Sequence, residues 1–504
     1  MTAATTDSDR DVVPRWRSVR RTAEAGEFQR LAEPRPLADS HIFELERFER
    51  TWRAAPSDVS ASEFLGAAIV AGDSDRATDA TKALDKGGKS SGLVGILTTF
   101  EDSLPEPSAT VDFPETEFFY KRISALREHL RRDPRDPIAW ADLGRRYTSL
   151  GQFHQAEQSL NIARALAPES RYLLRVASKF LVHIGRPDDA YKMLRASART
   201  RRDPWLMAAV LATASIAEMP IRDIKVAKRI AEDANFRPIE RSELTSELAT
   251  LELRGGADRR ARQAFRRTLQ SPTDNALAQV QWASRRISNL EVPLAELQIP
   301  FAAEANARAA ADEGRWSDAL GFILDWLDDQ PFETDAAILG SYAASVGMND
   351  WTTATQIARM GLRAKPGDLT LLNNLAYALT ECGLFGDAAT ILDGVSADGE
   401  TAESAAMIAT RGLLAFRTGI ADEGRTLYAQ AIEMAIRTSN KHLEAMARVM
   451  LLREELTHGW VPDIDGHLAA VSLLLTGNPD PGVQTILRRI DGLRSRHASP
   501  LMPS

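Results

Sequence analysis

The residues with the strongest chemical character in this sequence are closely spaced arginines. The stretch "ADRRARQAFRRTLQ" places Arg259, Arg262 and Arg266 on one face of a helix and Arg260 with Arg267 on another. Guanidinium groups at this spacing can bind the phosphates of a nucleic acid or the carboxylates of an acidic protein. They can equally form the solvated outer face of a helix, so two interpretations stay open here.

A phosphate-binding loop is the nearest approach to a catalytic motif, and it is incomplete. "LDKGGKSSG" ends like a P-loop, but that motif needs a glycine five residues before Gly88, where the sequence has Ala83. The preceding "ATDATKALD" has helical character, whereas a P-loop follows a strand. A turn that ends a hairpin is the simpler interpretation.

The residues that could bind a metal are scattered along the chain. The eight histidines contain no pair at metal-ligand spacing, and Cys382 is the single cysteine. The "DIDG" at 463–466 lacks the remaining ligands of a calcium-binding loop. We therefore predict no metal, no cofactor and no enzymatic activity.

Charge is distributed unevenly along the 504 residues, although the net charge is only −8. Residues 171–290 carry 23 Lys and Arg against 13 Asp and Glu, whereas residues 291–504 carry 16 against 29. Such asymmetry indicates charged partners rather than a particular fold. It supports one alternative function, a nucleic-acid-associated regulator that uses the basic residues 171–290.

Targeting signals are also missing from the sequence. No run approaches the roughly 18 apolar residues needed to span a bilayer, and the polar "MTAATTDSDRDVVPRW" lacks the segments of a secretory signal. We expect a cytoplasmic protein with no membrane partner. Arg outnumbers Lys 52 to 10, which favours a GC-rich bacterial genome as the source.

The elements that carry these residues repeat along the chain. A shift of 34 residues superposes Gly151 on Gly185 and Ala156 on Ala190. The same glycine recurs, followed five residues later by Ala or Gly, at Gly314, Gly383 and Gly419. Each unit is interpreted as two helices joined at a left-handed glycine turn, and neighbouring hairpins must stack to bury their apolar faces.

One unit identifies the kind of repeat. Its signature consists of Trp140, Leu143, Gly144, Tyr147, Ala156, Leu160 and Pro168. This set resembles the tetratricopeptide repeat, and segments beginning near 171, 300, 334, 369 and 405 resemble it more loosely. The resemblance implies an all-α superhelical solenoid of α-α hairpins that binds a protein or peptide in its concave groove.

The resemblance also places six residues on the groove: Arg145, Arg175, Lys179, Asn373, Asn374 and Tyr377. The three basic residues predict a partner with an acidic segment or a C-terminal carboxylate. The match to the family's carboxylate clamp is partial, because Ala141 stands where the clamp would carry Lys. The amides and the phenol suit an extended backbone. For both sets the alternative is ordinary hydrogen bonding between repeats.

Five regions are expected: an N-terminal arm and helix (1–57), a helical hairpin (58–100), an acidic Pro-rich linker (101–116), a repeat array irregular around 274–300 (117–440) and a C-terminal helical cap (441–504). The linker could fold back into the groove when no partner is bound. The sequence as a whole predicts a non-enzymatic protein-binding scaffold or regulatory adaptor.

Overall fold

The structure, a computed structural model, is helical throughout the part of the chain that it describes. That part comprises residues 44–57, 60–61, 64–65, 68, 74–85, 114–293, 299, 302–330, 332–395, 399, 401–459, 464–476 and 480–498. No strand occurs in these residues, and the predicted all-α fold is confirmed. They divide into two compact units, an N-terminal unit within residues 14–300 and a C-terminal unit within residues 301–504.

Successive antiparallel helices build the N-terminal unit. They are α1 (Glu44–Ala54), α2 (Ser74–Asp85), α3 (Pro114–Arg132), α4 (Pro137–Ser149), α5 (Phe153–Leu166), α6 (Arg171–His183), α7 (Pro187–Ala196), α8 (Pro204–Ile216), α9 (Ile224–Glu232), α10 (Pro238–Arg254), α11 (Asp258–Thr268) and α12 (Asp274–Ser284). A short 3-10 helix, Ala198–Arg202, joins α7 to α8.

Five further hairpins and one terminal helix build the C-terminal unit. They are α13 (Ala303–Asp312), α14 (Trp316–Asp329), α15 (Thr334–Tyr342), α16 (Trp351–Ala364), α17 (Leu369–Glu381), α18 (Phe385–Asp393), α19 (Ala402–Arg417), α20 (Ala421–Arg437), α21 (Lys441–Thr457), α22 (Ile464–Leu474) and α23 (Pro481–Ala498). A π-helical turn, Ala343–Gly347, continues α15.

The predicted signature residues form the boundaries and the interface of the α4–α5 hairpin. Asp136 caps α4 by accepting from the backbone N–H groups of Ile138 at 2.8 Å and Ala139 at 3.0 Å. Gly151 ends the helix with a φ of +71°, and the glycines at 185, 314, 383 and 419 share this left-handed conformation. The turn that the sequence predicted at each of these glycines is thereby confirmed.

Close packing of α4 against α5 depends on Gly144. A Cβ built at Gly144 would lie 2.8 Å from Leu160 Cγ and 3.1 Å from the Ala156 carbonyl oxygen. Trp140 and Ala156 are completely buried beside it, and the Trp140 indole N–H donates to the Pro134 carbonyl at 2.8 Å. The small residues of the signature therefore set the distance between the two helices.

Replacing Gly144 by Leu is expected to lower the free energy of unfolding by about 1–3 kcal/mol, because the added side chain overpacks a filled interface. Thermal unfolding followed by circular dichroism measures this change. Gly321→Leu is the matched control, since a Cβ at Gly321 meets nothing within 4 Å. Equal destabilisation by both substitutions would show that loss of glycine, rather than the close helix approach, causes the effect.

Three features of the structure bear on the expected regions. Helix α3 begins at Pro114, inside the predicted linker, while residues 101–113 lie outside the described residues. The predicted array 117–440 is divided at residue 300, where the sequence period breaks. The predicted cap contains one more hairpin, α21–α22, followed by α23.

Candidate functional site

The basic groove expected in the N-terminal unit requires a correction at Arg175. This side chain is buried, and its Nη2 donates to Glu243 Oε2 at 2.7 Å, on α10. Glu243 Oε1 also accepts from Thr273 Oγ1 and Asn275 Nδ2, each at 3.2 Å. Burial raises the pKa of Glu243, and the Arg175 charge opposes that shift. Arg175 therefore belongs to an internal ion pair, and its charge does not face a ligand.

The other two predicted basic residues lie on the same helices as expected. Arg145 is partly exposed, and its Nη1 lies 3.8 Å from Asp142 Oδ1 on the same helix. Lys179 on α6 is partly exposed as well. Sequence spacing could not show that Glu243, 68 residues away, would pair with Arg175, the central member of the predicted patch.

Most of the outer arginines on α11 also bind groups within the protein. Arg262 Nη1 and Arg266 Nη2 donate, each at 2.8 Å, to the carbonyl oxygens of Ser288 and Asn289. Arg260 Nε lies 2.8 Å from a Glu252 carboxylate oxygen. Arg259 and Arg267 are exposed. Three of the five arginines thus contact other groups of the N-terminal unit.

A cavity of about 290 Å³ opens in the C-terminal unit, where the first helices of successive hairpins face one another. It is lined by Tyr342, Ser345, Val346, Thr370, Asn373, Asn374, Tyr377, Ala402, Glu403, Ala406, Ala409, Thr410, Tyr428, Asn440, His442, Leu443, Met446, Ala447 and Met450. These come mainly from α15 and its π-helical turn, α17, α19 and α21. All three predicted residues of α17 are among them.

Of the two adjacent amides in this cavity, Asn373 leaves its N–H donor available and Asn374 leaves its oxygen acceptor available. Asn373 Oδ1 accepts from Thr410 Oγ1 at 2.8 Å, and among the residues that the structure describes no group bonds to its Nδ2. Asn374 Nδ2 donates to Ser341 Oγ at 2.9 Å and to the Ile338 carbonyl at 3.4 Å, which leaves its Oδ1 as an acceptor. The pair can therefore offer one donor and one acceptor, the complement of a peptide group.

Three phenols are among the groups that line the cavity. Burial raises the pKa values of Tyr342, Tyr377 and Tyr428, so these hydroxyls stay protonated at neutral pH. Tyr377 accepts a hydrogen bond from Arg453 Nη1 at 3.1 Å. Within the described ranges the hydroxyls of Tyr342 and Tyr428 have no hydrogen-bond partner. Their protonated hydroxyls can donate a hydrogen bond.

Below the phenols lies a buried network of charges that holds α17, α19 and α21 together. Arg453 Nη2 lies 2.6 Å from Glu381 Oε1 and 2.7 Å from Glu454 Oε1. Arg417 Nη2 lies 3.0 Å from Glu381 and 3.3 Å from Glu454. Two cations and two carboxylates balance one another here, so the network fixes the cavity wall and adds no net charge.

The rest of the cavity lining is mostly apolar and contains no Lys or Arg. Val346, Leu443, Met446 and Met450 supply apolar surface, with alanines between them, and a cavity with few polar groups among apolar walls is typical of a binding site. No group of three or more potential metal ligands occurs in the described part of the chain. The arrangement can bind an uncharged segment.

Several cavity residues were missed by sequence reasoning. Tyr428 lies nine residues after Gly419, as Leu160 lies after Gly151, and this position in the repeat favours packing. Thr410 and Met446 lie in segments with weak repeat character. Tyr342 and Val346 lie at a π-helical turn that the repeat pattern does not predict. One signal was available, since Asn373, Thr410 and Met446 follow one another at the repeat spacing of 36–37 residues.

Comparisons with known proteins add little to this picture. No protein-family model matches the chain, and no curated protein does. Among solved structures, the crystal structure of yeast Tom70 is similar over 77% of this chain and 95% of that chain, at 11% sequence identity and a TM-score of 0.29. No helix in the described residues is long and apolar enough to cross a membrane. The hairpins of the chain itself show an all-α helical-repeat solenoid with tetratricopeptide-like units.

Proposed function

We propose that this protein is a non-enzymatic protein-binding scaffold or regulatory adaptor, and that the cavity of the C-terminal unit holds a segment of its partner. The observation that carries the proposal is the pair of adjacent amides on α17. Asn373 offers a donor and Asn374 an acceptor beside an apolar cavity. A peptide group flanked by an apolar side chain satisfies both requirements.

The chemistry of the lining favours an uncharged partner segment over an acidic one. The cavity contains no Lys or Arg, and its phenols are neutral donors. Burying an unpaired carboxylate there would cost about 3–5 kcal/mol. The acidic partner suggested by the basic residues therefore forms no part of this proposal. A bacterial, cytoplasmic setting belongs to it on the sequence grounds given above.

The nucleic-acid alternative rests on the net charge of residues 171–290. The charge of Arg175 is paired with Glu243, and Arg262 and Arg266 each donate to a backbone carbonyl, so part of the basic region is engaged within the protein. Salt-dependent retention of the full chain on a nucleic-acid column distinguishes the alternatives, because phosphate contacts weaken steeply with salt. We expect no specific retention above about 0.15 M salt.

Filling the cavity with a larger side chain is expected to weaken partner binding. Peptides selected from a random display library on the full chain serve as the probe, and their affinity is measured by calorimetry. Ala406→Phe fills the cavity from α19 and should weaken binding by roughly ten-fold or more, because it removes the site of the buried anchor. Asn373→Asp removes the amide donor while keeping the oxygen that accepts from Thr410.

Two matched controls accompany these variants. Ala429→Phe adds the same ring to an exposed position on the outer helix α20, and Asn235→Asp makes the same charge change in an exposed turn. Both should bind like the parent. If Ala406→Phe and Asn373→Asp also retain parental affinity, the cavity is not the binding site.

A further inference from the structure

The terminal helix α23 does not simply cover the last hairpin of the C-terminal unit. It packs on α21 and on the π-helical turn after α15. Thr485 Oγ1 accepts from the indole N–H of Trp316 at 2.9 Å, across 169 residues of sequence. The helix therefore returns to the first hairpins of the unit, and it lies on the surface formed by their first helices.

The contacts of α23 follow the pattern of a helical ligand in a groove. Its buried stripe consists of Val483, Ile486 and Ile490, which are at most 1% exposed, while Gln484 and Arg488 face solvent. The stripe shares one apolar cluster with Val346 and Met450. Anchors three and seven residues apart are the spacing by which an amphipathic helix docks.

Polar contacts fix the register of α23. Arg489 donates from Nη1 to the Val346 carbonyl at 2.8 Å and from Nη2 to the Gly347 carbonyl at 2.7 Å. At the other end Asp480 caps the helix and pairs with His442 of α21. A Cβ at Gly482 would overlap the Tyr342 hydroxyl, so only glycine lets the α23 backbone lie this close to Tyr342.

The α23 surface is continuous with the cavity. Val346 and Met450 line the cavity and belong to the apolar cluster of α23, while Tyr342 and His442 line it beside the first turn of the helix. A partner segment that entered the cavity and extended along the first helices would meet α23 at these residues. The two occupants would then compete for the same wall.

We propose that α23 is an intramolecular ligand of this groove, and that the partner, beside the uncharged segment held in the cavity, carries an amphipathic helix of the same chemistry as α23 that replaces it. This inference rests on the proposed function. The partner helix would present branched aliphatic side chains at the spacing of Val483, Ile486 and Ile490, with an arginine for the carbonyls of the π-helical turn. Binding of the partner helix displaces α23, so only a helix that binds the groove tightly enough to displace α23 forms the complex.

A reversible lock on α23 tests the proposal in the full chain. A Cβ at Gly314 lies 3.6 Å from Pro481 Cβ, within the range that a disulfide needs. The variant therefore carries Gly314→Cys and Pro481→Cys. Cys382→Ser removes the exposed native thiol from the same chain. The oxidised variant holds α23 by a disulfide, and reduction breaks that bond. The two redox states of one variant are each other's control.

A fluorescein-labelled peptide of residues 480–498 serves as the competing helix. It should bind the reduced variant more tightly than the oxidised one, by about ten-fold or more. In the reduced variant the peptide competes with a helix tethered by the chain alone, whereas the disulfide holds α23 in place and opposes its displacement. The full chain with Arg489→Ala should bind it more tightly than the parent, since the internal helix loses two charge-assisted hydrogen bonds. The peptide with Ile486→Asp should not bind.

Equal affinity in the two redox states would overturn the proposal. Absence of binding to the reduced form and to the Arg489→Ala chain would also overturn it, because α23 would then be a permanent part of the core. Dimerisation of the Arg489→Ala chain without peptide binding would assign the groove to a second copy and contradict the partner helix. None of these results changes the outcome of the Ala406→Phe test, which addresses the proposed function separately.

Discussion

Replacing Arg175 by Ala should lower the free energy of unfolding by about 3–5 kcal/mol, the cost typical of leaving one member of a buried ion pair without its partner. The Glu243 side chain is only 6% exposed, and its carboxylate would then have to stay charged in an apolar setting or take up a proton. Urea denaturation followed by circular dichroism measures the loss. Arg175→Glu should be worse still, because it places a second carboxylate beside the first.

The double variant Arg175→Met with Glu243→Met is the control for this prediction. Removing both charges together with side chains of similar volume should recover most of the lost stability, since no unpaired charge remains. Arg186→Ala breaks a surface pair with Glu157 and should change stability by less than about 1 kcal/mol. A parental transition for Arg175→Ala would mean that the buried pair does not form.

The second large effect is expected at Arg453, below the cavity of the C-terminal unit. Arg453→Ala leaves Glu381 and the fully buried Glu454 with only Arg417 as a cationic partner. The expected loss of stability is again about 3–5 kcal/mol. Tyr377 also loses the donor to its hydroxyl, so binding of the display-selected peptide should weaken as well.

Two variants separate charge from geometry at this position. Arg453→Lys keeps the charge but not the planar fork that contacts two carboxylates and a phenol, so it should recover only part of the stability. Arg437→Ala, which breaks an exposed pair with Glu433 on α20, should be close to neutral. Full recovery by lysine would show that the network needs only a positive charge.

Local rules predicted much of the fold. Gly151 and its repeats fix the turns through the left-handed backbone, and Gly144 fixes the helix approach, so both could be identified from spacing alone. The break in the repeat at 274–300 also lies at the division between the two units. The path of α23 could not be predicted, because it depends on contacts such as Trp316 with Thr485, which no local pattern specifies.

The candidate site was predicted only in part, for the same physical reason. Asn373, Asn374 and Tyr377 share one helix face, so their spacing placed them together. Arg175 was misjudged because spacing shows the face of a helix but not the charge opposite it. Tyr342 and Thr410 reach the cavity from other hairpins, and one sequence without a known stacking geometry does not reveal that convergence.

The central claim is that the cavity of the C-terminal unit receives a partner segment, and hydrogen–deuterium exchange tests it most directly. Exchange in the full chain is compared with and without the display-selected peptide at saturation. We predict that bound peptide slows exchange in α17, α19 and α21, the helices that line the cavity, and leaves α9 to α11 unchanged. Protection confined to α9–α11, or none in α17, α19 and α21, would contradict the account.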